Sequence, residues 1–138
     1  MTESLRLHRT LAAPAERVWR AFTEPTAVAA WFWPPRTGIT ADIDLRVGGR
    51  YRLTATNAGF AVTGEYLVIE PTTLLVFTWQ WDGEPDTTRV TLELTPAGES
   101  TELTLLHEQF ATAEERDKHS EGWGDCLDRL PGYLVDHS

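Results

Sequence analysis

Apolar residues recur with two different periods along this chain, and the switches between them mark its elements. Residues 4–11 alternate, with Leu5, Leu7 and Leu11 set against Arg6, His8 and Thr10, which predicts a strand. Pro14 is placed to open a helix at its first position, with Ala15, Val18, Trp19 and Phe22 as the apolar face. Thr23-Glu24-Pro25 breaks that helix, and Pro25 starts a second short one ending near Trp31.

The period then falls to two. Ala41, Ile43 and Leu45 alternate with Asp42, Asp44 and Arg46, and Gly48-Gly49 turns the chain into Tyr51–Ala55. Asn57-Ala58-Gly59 is a second turn, followed by a strand from Val62 to Ile69. Further strands are predicted at Leu74–Trp81, Thr88–Thr95 and Thr101–Phe110, separated by Glu70-Pro71-Thr72, Asp82-Gly83-Glu84-Pro85 and Pro96-Ala97-Gly98. Six consecutive strands on short turns form an antiparallel meander.

The last segment returns to a helical period. Thr112 is a candidate N-cap, with Glu114 and Glu115 in the first turn. Trp123, Leu127, Leu130 and Leu134 form one apolar stripe, and Pro131 inside it is expected to kink or loosen the helix. The order is thus β–α–α–β6–α, an α+β fold in which the final helix buries its stripe against a curved antiparallel sheet. Seven strands offer more inner face than one helix covers, so a cavity between helix and sheet is expected, unless large side chains fill it.

Composition narrows the function classes. The net charge of −9 over 138 residues argues against nucleic acid and anionic membrane surfaces, which select basic proteins. The lone cysteine, Cys126, forms no internal disulfide, and no leader-like apolar run opens the chain; a reducing, cytoplasmic location is expected. No stretch of about 18 apolar residues exists to insert in a membrane.

The candidate chemistry centres on Trp31 to Thr40. Three large aromatics, Trp31, Phe32 and Trp33, precede Pro34, Pro35 and Gly38, residues that oppose regular structure. Such rings either plug a core or line the mouth of a cavity. With Tyr51, Phe60, Trp79 and Trp123 they make an aromatic set with the same two readings. Trp31 and Trp33, if exposed, would also suit a homodimer contact. His107 shares strand parity with Leu103 and Leu105, so it points to the same face. It either orients a ligand carbonyl or carboxylate, or is a core histidine bonded to backbone, Tyr51 or Tyr66.

Other chemistry finds little support. His8, His107, His119, His137 and Cys126 include no His-x-x-His or Cys-x-x-Cys pair. His119 and Cys126 lie about 10 Å apart along one helix face, too far to share a zinc, so no metal site is expected. Ser4, Ser100, Ser120 and Ser138 include no nucleophile elbow. Gly48-Gly49 lacks the strand–glycine–helix order of a phosphate loop, and no cofactor is expected.

Ala13-Pro14-Ala15-Glu16-Arg17-Val18-Trp19, Thr23-Glu24-Pro25, Trp31-Phe32, Val47-Gly48-Gly49-Arg50-Tyr51, Gly64-Glu65-Tyr66, Ile69-Glu70-Pro71, Leu75-Val76-Phe77-Thr78-Trp79, Leu103-Thr104-Leu105-Leu106-His107 and Gly122-Trp123 with Leu127 follow one another in an informative order. In this the chain resembles the activator of heat-shock-protein-ninety ATPase homologue-like proteins of the START-like (SRPBCC, Bet v 1-like) superfamily. The resemblance implies one START-like domain over 1–138 with a helix-grip fold: a curved seven-stranded antiparallel sheet around a long C-terminal helix, with two short helices after the first strand. It also implies an internal, mostly apolar ligand cavity. The expected function is non-covalent binding of a small hydrophobic molecule, with Trp31, Tyr51, Phe60, Trp79, His107, Trp123 and Leu127 as the lining. Two alternatives follow from the same resemblance. One is a cyclase- or aromatase-like enzyme using His107 or Glu65 as acid–base group; the other is a chaperone-regulating interaction domain.

Overall fold

Strand β1 (Glu3–Leu11) leads into two short helices, α1 (Ala15–Thr23) and α2 (Pro25–Trp31), in a computed structural model that describes residues 2–136. Strands β2 (Ile39–Ile43), β3 (Arg50–Ala55), β4 (Phe60–Glu70), β5 (Leu74–Trp81), β6 (Thr88–Ala97) and β7 (Ser100–Phe110) follow, and helix α3 (Ala113–Asp136) ends the chain. His137 and Ser138 lie outside the described residues. The strands make one antiparallel sheet ordered β1-β7-β6-β5-β4-β3-β2. The meander pairs each strand with its successor, and β1 returns to flank β7, with Leu5 opposite His107 and Leu7 opposite Leu105. The sheet curves around α3 in a helix-grip fold.

Local chemistry explains most of these boundaries. Pro14 sits in extended geometry as the N-cap of α1, one position before the expected start. Glu24 both ends α1 and caps α2, whose first residue is Pro25, where a missing N–H costs nothing. Thr112 accepts a bond from the Glu115 amide at 3.1 Å, which makes it the side-chain cap of α3. Leu45 departs from its expected strand: β2 stops at Ile43, and Leu45 lies exposed in the loop to β3. There Gly49 packs so tightly that a Cβ would lie 2.2 Å from the Asp44 carbonyl. Helix α3 runs unbroken through Pro131 to Asp136. The proline removes one backbone donor, and Arg17 reaches the Leu134 carbonyl in the last turn.

The stripe of α3 is buried as its spacing predicts, with Trp123, Leu127, Leu130 and Leu134 at most 4% exposed. Behind it the middle of the sheet leaves little space. Helices α1 and α2 also cover the sheet, and Phe22, Val28 and Phe32 reach Tyr51, Tyr66 and Phe77, leaving a hollow of only ≈ 30 Å³. That is about the volume of one water. Val90, Leu92, Leu103 and Leu105 are buried core. Tyr51 fits here because its partner across the ladder is Gly64. A Cβ at Gly64 would lie 2.4 Å from the Tyr51 ring and 1.9 Å from the Thr78 carbonyl. The Tyr51 hydroxyl donates to that same carbonyl at 2.6 Å.

Candidate functional site

Two aromatic-walled hollows lie at one end of the sheet, where β4, β5 and α3 meet the segment after α2. Trp79 and Trp81 share parity on β5, and both turn toward α3. Trp33, just before the Pro34-Pro35 pair, packs on Phe60 with ring centroids 4.9 Å apart and stacks on Trp81 at 6.2 Å. On one side of Trp81 a hollow of ≈ 310 Å³ opens between the Trp33-Pro34 segment and α3, with Trp79, Trp123 and Cys126 in its wall. On the other side a wider hollow of ≈ 510 Å³ is bounded by Phe60, Phe110 and the start of α3, with Glu84, Asp86 and Glu115 among its residues. Trp79, Trp81, Lys118 and His119 line both. Volumes of a few hundred cubic ångströms with aromatic walls suit a small organic molecule.

A bond spans the junction of the two hollows. The Trp81 indole N–H donates to Nε2 of His119 at 2.8 Å. Nδ1 of His119, 2.7 Å from the Glu115 carbonyl, therefore carries the proton and donates to it. Strand and helix are thus latched across the aromatic cluster.

His107 sits deeper and is fully buried. Trp123 can only donate, so its N–H, 2.9 Å from Nδ1, puts the ring's proton on Nε2. That Nε2–H donates to Thr88 Oγ1 at 2.6 Å, and the Thr88 hydroxyl donates on to the Trp79 carbonyl at 3.2 Å. Burial first, then the neighbouring His119 ring, lowers the His107 pKa from 6.5 to about 3, so the imidazole is neutral. It is a core histidine, and its partners are Trp123 and Thr88 rather than backbone, Tyr51 or Tyr66. Those partners come from α3 and β6, remote in sequence, and no local pattern points to them.

The other sequence-predicted residues divide. Trp79 and Trp123 line the hollow beneath Trp33, and Phe60 lines the wider one. Tyr51 borders only the small interior hollow. Trp31 and Leu127 border none of these spaces. Trp31 closes α2, gives its N–H to the Ala21 carbonyl at 2.8 Å and is 2% exposed. It is therefore a core plug and makes no exposed pair with Trp33. Residues 35–37 form a short 3-10 turn ending at Gly38 in left-handed geometry, so the segment expected to be irregular is largely structured. Arg129 of α3 ties it down, donating to the Trp31 and Phe32 carbonyls at 3.2 and 2.7 Å. Glu65 pairs with Arg50 at 3.9 Å and borders none of the hollows, so neither proposed acid–base group reaches them. Burial pushes the Cys126 thiol pKa up, which suits an inert wall residue. Trp81 and His119 are the residues sequence reasoning missed. Both carried a signal: Trp81 shares parity with Trp79, and His119 lies one helical turn before Trp123.

Among the described residues no cluster of three or more His, Cys, Asp or Glu could hold a metal ion. No described helix is long and apolar enough to cross a membrane.

The sequence matches the family described as Activator of Hsp90 ATPase homolog 1-like protein over residues 12–135. The chain belongs to that family. Solved structures similar to this family member include protein CV1439 from Chromobacterium violaceum, 31% identical, covering 95% of this chain and 96% of that one with a TM-score of 0.81. CalU16 from Micromonospora echinospora is 28% identical, with 96% of this chain and 76% of that one aligned and a TM-score of 0.77. DynU16, a protein of the dynemicin biosynthetic locus, is 28% identical with a TM-score of 0.83; the match takes in 96% of this chain but 47% of DynU16. A comparison with curated proteins finds no match. These likenesses define an Activator of Hsp90 ATPase homolog 1-like fold without assigning it a reaction.

Proposed function

We propose that this protein binds a small, largely apolar molecule without covalent chemistry, in the hollow between the Trp33-Pro34 segment and α3. One observation carries the reading: a hollow of ≈ 310 Å³ walled by Phe32, Trp33, Trp79, Trp81 and Trp123. Apolar area removed from water contributes about 25 cal/mol per Å² before the costs of ordering. The likeness to DynU16, from a biosynthetic locus, is compatible with a partner of this kind. Neither acid–base group named from the sequence lines the hollow: His107 is sealed by its own bonds and Glu65 pairs with Arg50 elsewhere.

Titration with Nile red, a flat neutral dye whose emission shifts to the blue in apolar surroundings, tests the proposal. Gly122 borders the hollow, and a Cβ built there meets nothing within 4 Å. Gly122→Leu should therefore fill the space, weaken dye binding about tenfold and leave the fold intact, since leucine favours a helix more than glycine does. No saturable shift with the wild type, or equal binding by Gly122→Leu, would refute the assignment. So would saturable binding of ATP in place of the dye.

A further inference from the structure

Besides Trp33 at the lip, four tryptophans come together around this end of the core: Trp31, Trp79, Trp81 and Trp123. Three have committed their indole N–H groups, to the Ala21 carbonyl, to His119 Nε2 and to His107 Nδ1. Trp79 is the exception. Its ring is 5% exposed, and its buried Nε1 meets no acceptor among the described residues. Buried indole N–H groups ordinarily find a partner, so this one is an unspent donor at a particular place. Trp79 borders both aromatic hollows and the small interior one as well.

The surroundings explain why the protein supplies no partner. The rings packed about Trp79 belong to Phe32, Trp81, His107 and Trp123, with centroids 5.3–6.2 Å away. Phe32 has no acceptor, Trp81 and Trp123 are donors only, and both nitrogens of His107 are engaged by Trp123 and Thr88. Trp79 lines the hollow, so a molecule seated there is a source of the missing acceptor. Lys118, Asp125 and Arg129 also line the hollow, but the rings packed on Trp79 itself are uncharged, so beside this indole an oxygen without formal charge fits better than a carboxylate, whose burial beside rings is costly.

We infer that Trp79 selects the ligand, donating its indole N–H to a neutral carbonyl oxygen on a planar apolar molecule held under Trp33 and α3. This rests on the binding function proposed above. Satisfying one buried donor is worth about a factor of ten in affinity.

Pyrene and pyrene-1-carboxaldehyde share one ring system and differ by that oxygen. Fluorescence titrations should show the aldehyde gaining about tenfold over pyrene in the wild type, relative to the same ratio in Trp79→Phe. In the wild-type protein labelled with ¹⁵N, the Trp79 indole N–H resonance should move downfield with the aldehyde and not with pyrene. This readout stands even if Trp79→Phe fails to fold. Saturable binding of both probes with equal ratios and an unmoved Trp79 resonance would overturn the inference and leave the binding function standing. Failure of both probes to bind would overturn the two together.

Discussion

Acid should loosen this protein through His107, and the size of the effect follows from its surroundings. In the unfolded chain the imidazole takes a proton near pH 6.5; in the native core it resists until about pH 3. Protonation there would turn Nδ1 into a donor facing the Trp123 N–H and place a charge where water does not reach. Between those two pH values the unfolded state binds one more proton than the native state, so stability falls as pH falls. The slope from this residue approaches 1.4 kcal/mol per pH unit, giving a loss of about 2 kcal/mol between pH 7 and pH 5. That is a substantial part of the roughly 5–15 kcal/mol stability of an ordinary domain. Urea unfolding followed by tryptophan emission at a series of pH values measures it. His107→Gln cannot titrate, and every other titrating group is common to both proteins, so the two profiles should converge toward acid by about 2 kcal/mol. Parallel profiles would show that His107 is not held neutral by its burial, and the account of its sealed position would fail.

The same urea assay checks the packing. Leu127→Ala, at a residue 1% exposed on α3, should cost about 2–5 kcal/mol, and a loss below about 0.5 kcal/mol would contradict the helix-grip packing. Gly64→Ala should cost about 1–3 kcal/mol or more, because its Cβ falls on the Tyr51 ring and the Thr78 carbonyl; wild-type stability would mean the ring has room to move. Trp81→Phe keeps a ring but removes the bond to His119. Stopped-flow mixing with Nile red should then show faster association, and an unchanged rate would mean that the latch does not control access.

The elements were legible in the sequence because they rest on local rules. Proline placement marks α1 and α2, the Thr112 cap starts α3, and strict alternation in β5 and β7 shows which side chains turn inward. His107 was correctly placed on the buried face by parity with Leu103 and Leu105. What was not legible depends on three-dimensional neighbours. The middle of the sheet is filled by Phe22, Val28 and Phe32, whose reach no periodicity encodes, and space between sheet and α3 opens at the Trp79–Trp81 end. The turn at Gln109 was also hidden. Its positive φ of 77° and the register shift opposite Glu3 and Ser4 place an extra residue in β7. Phe110 thereby joins His107 on the buried side, with ring centroids 4.4 Å apart. Of the aromatic set, Phe60 meets Trp33 beside Trp81. Trp31 does not belong there, because the helix begun by Pro25 carries it into the core.

Arg129 has a mechanical consequence. Its guanidinium holds the two carbonyls at the C-terminal end of α2, where a cation is also favoured by the helix dipole, so α3 and the Trp33 lip form a single jaw. The opposing jaw is the end of β4 and β5 that carries Phe60 and Trp81. Opening then means prising sheet from helix, and that gap is held by the Trp81–His119 hydrogen bond together with the packing of Trp33 on Phe60 and Trp81. A guest wide enough to part the jaws would strain the sheet's curvature, while one that slides in edge-on leaves it alone. On the binding function proposed above, thickness more than length would then set which guest enters.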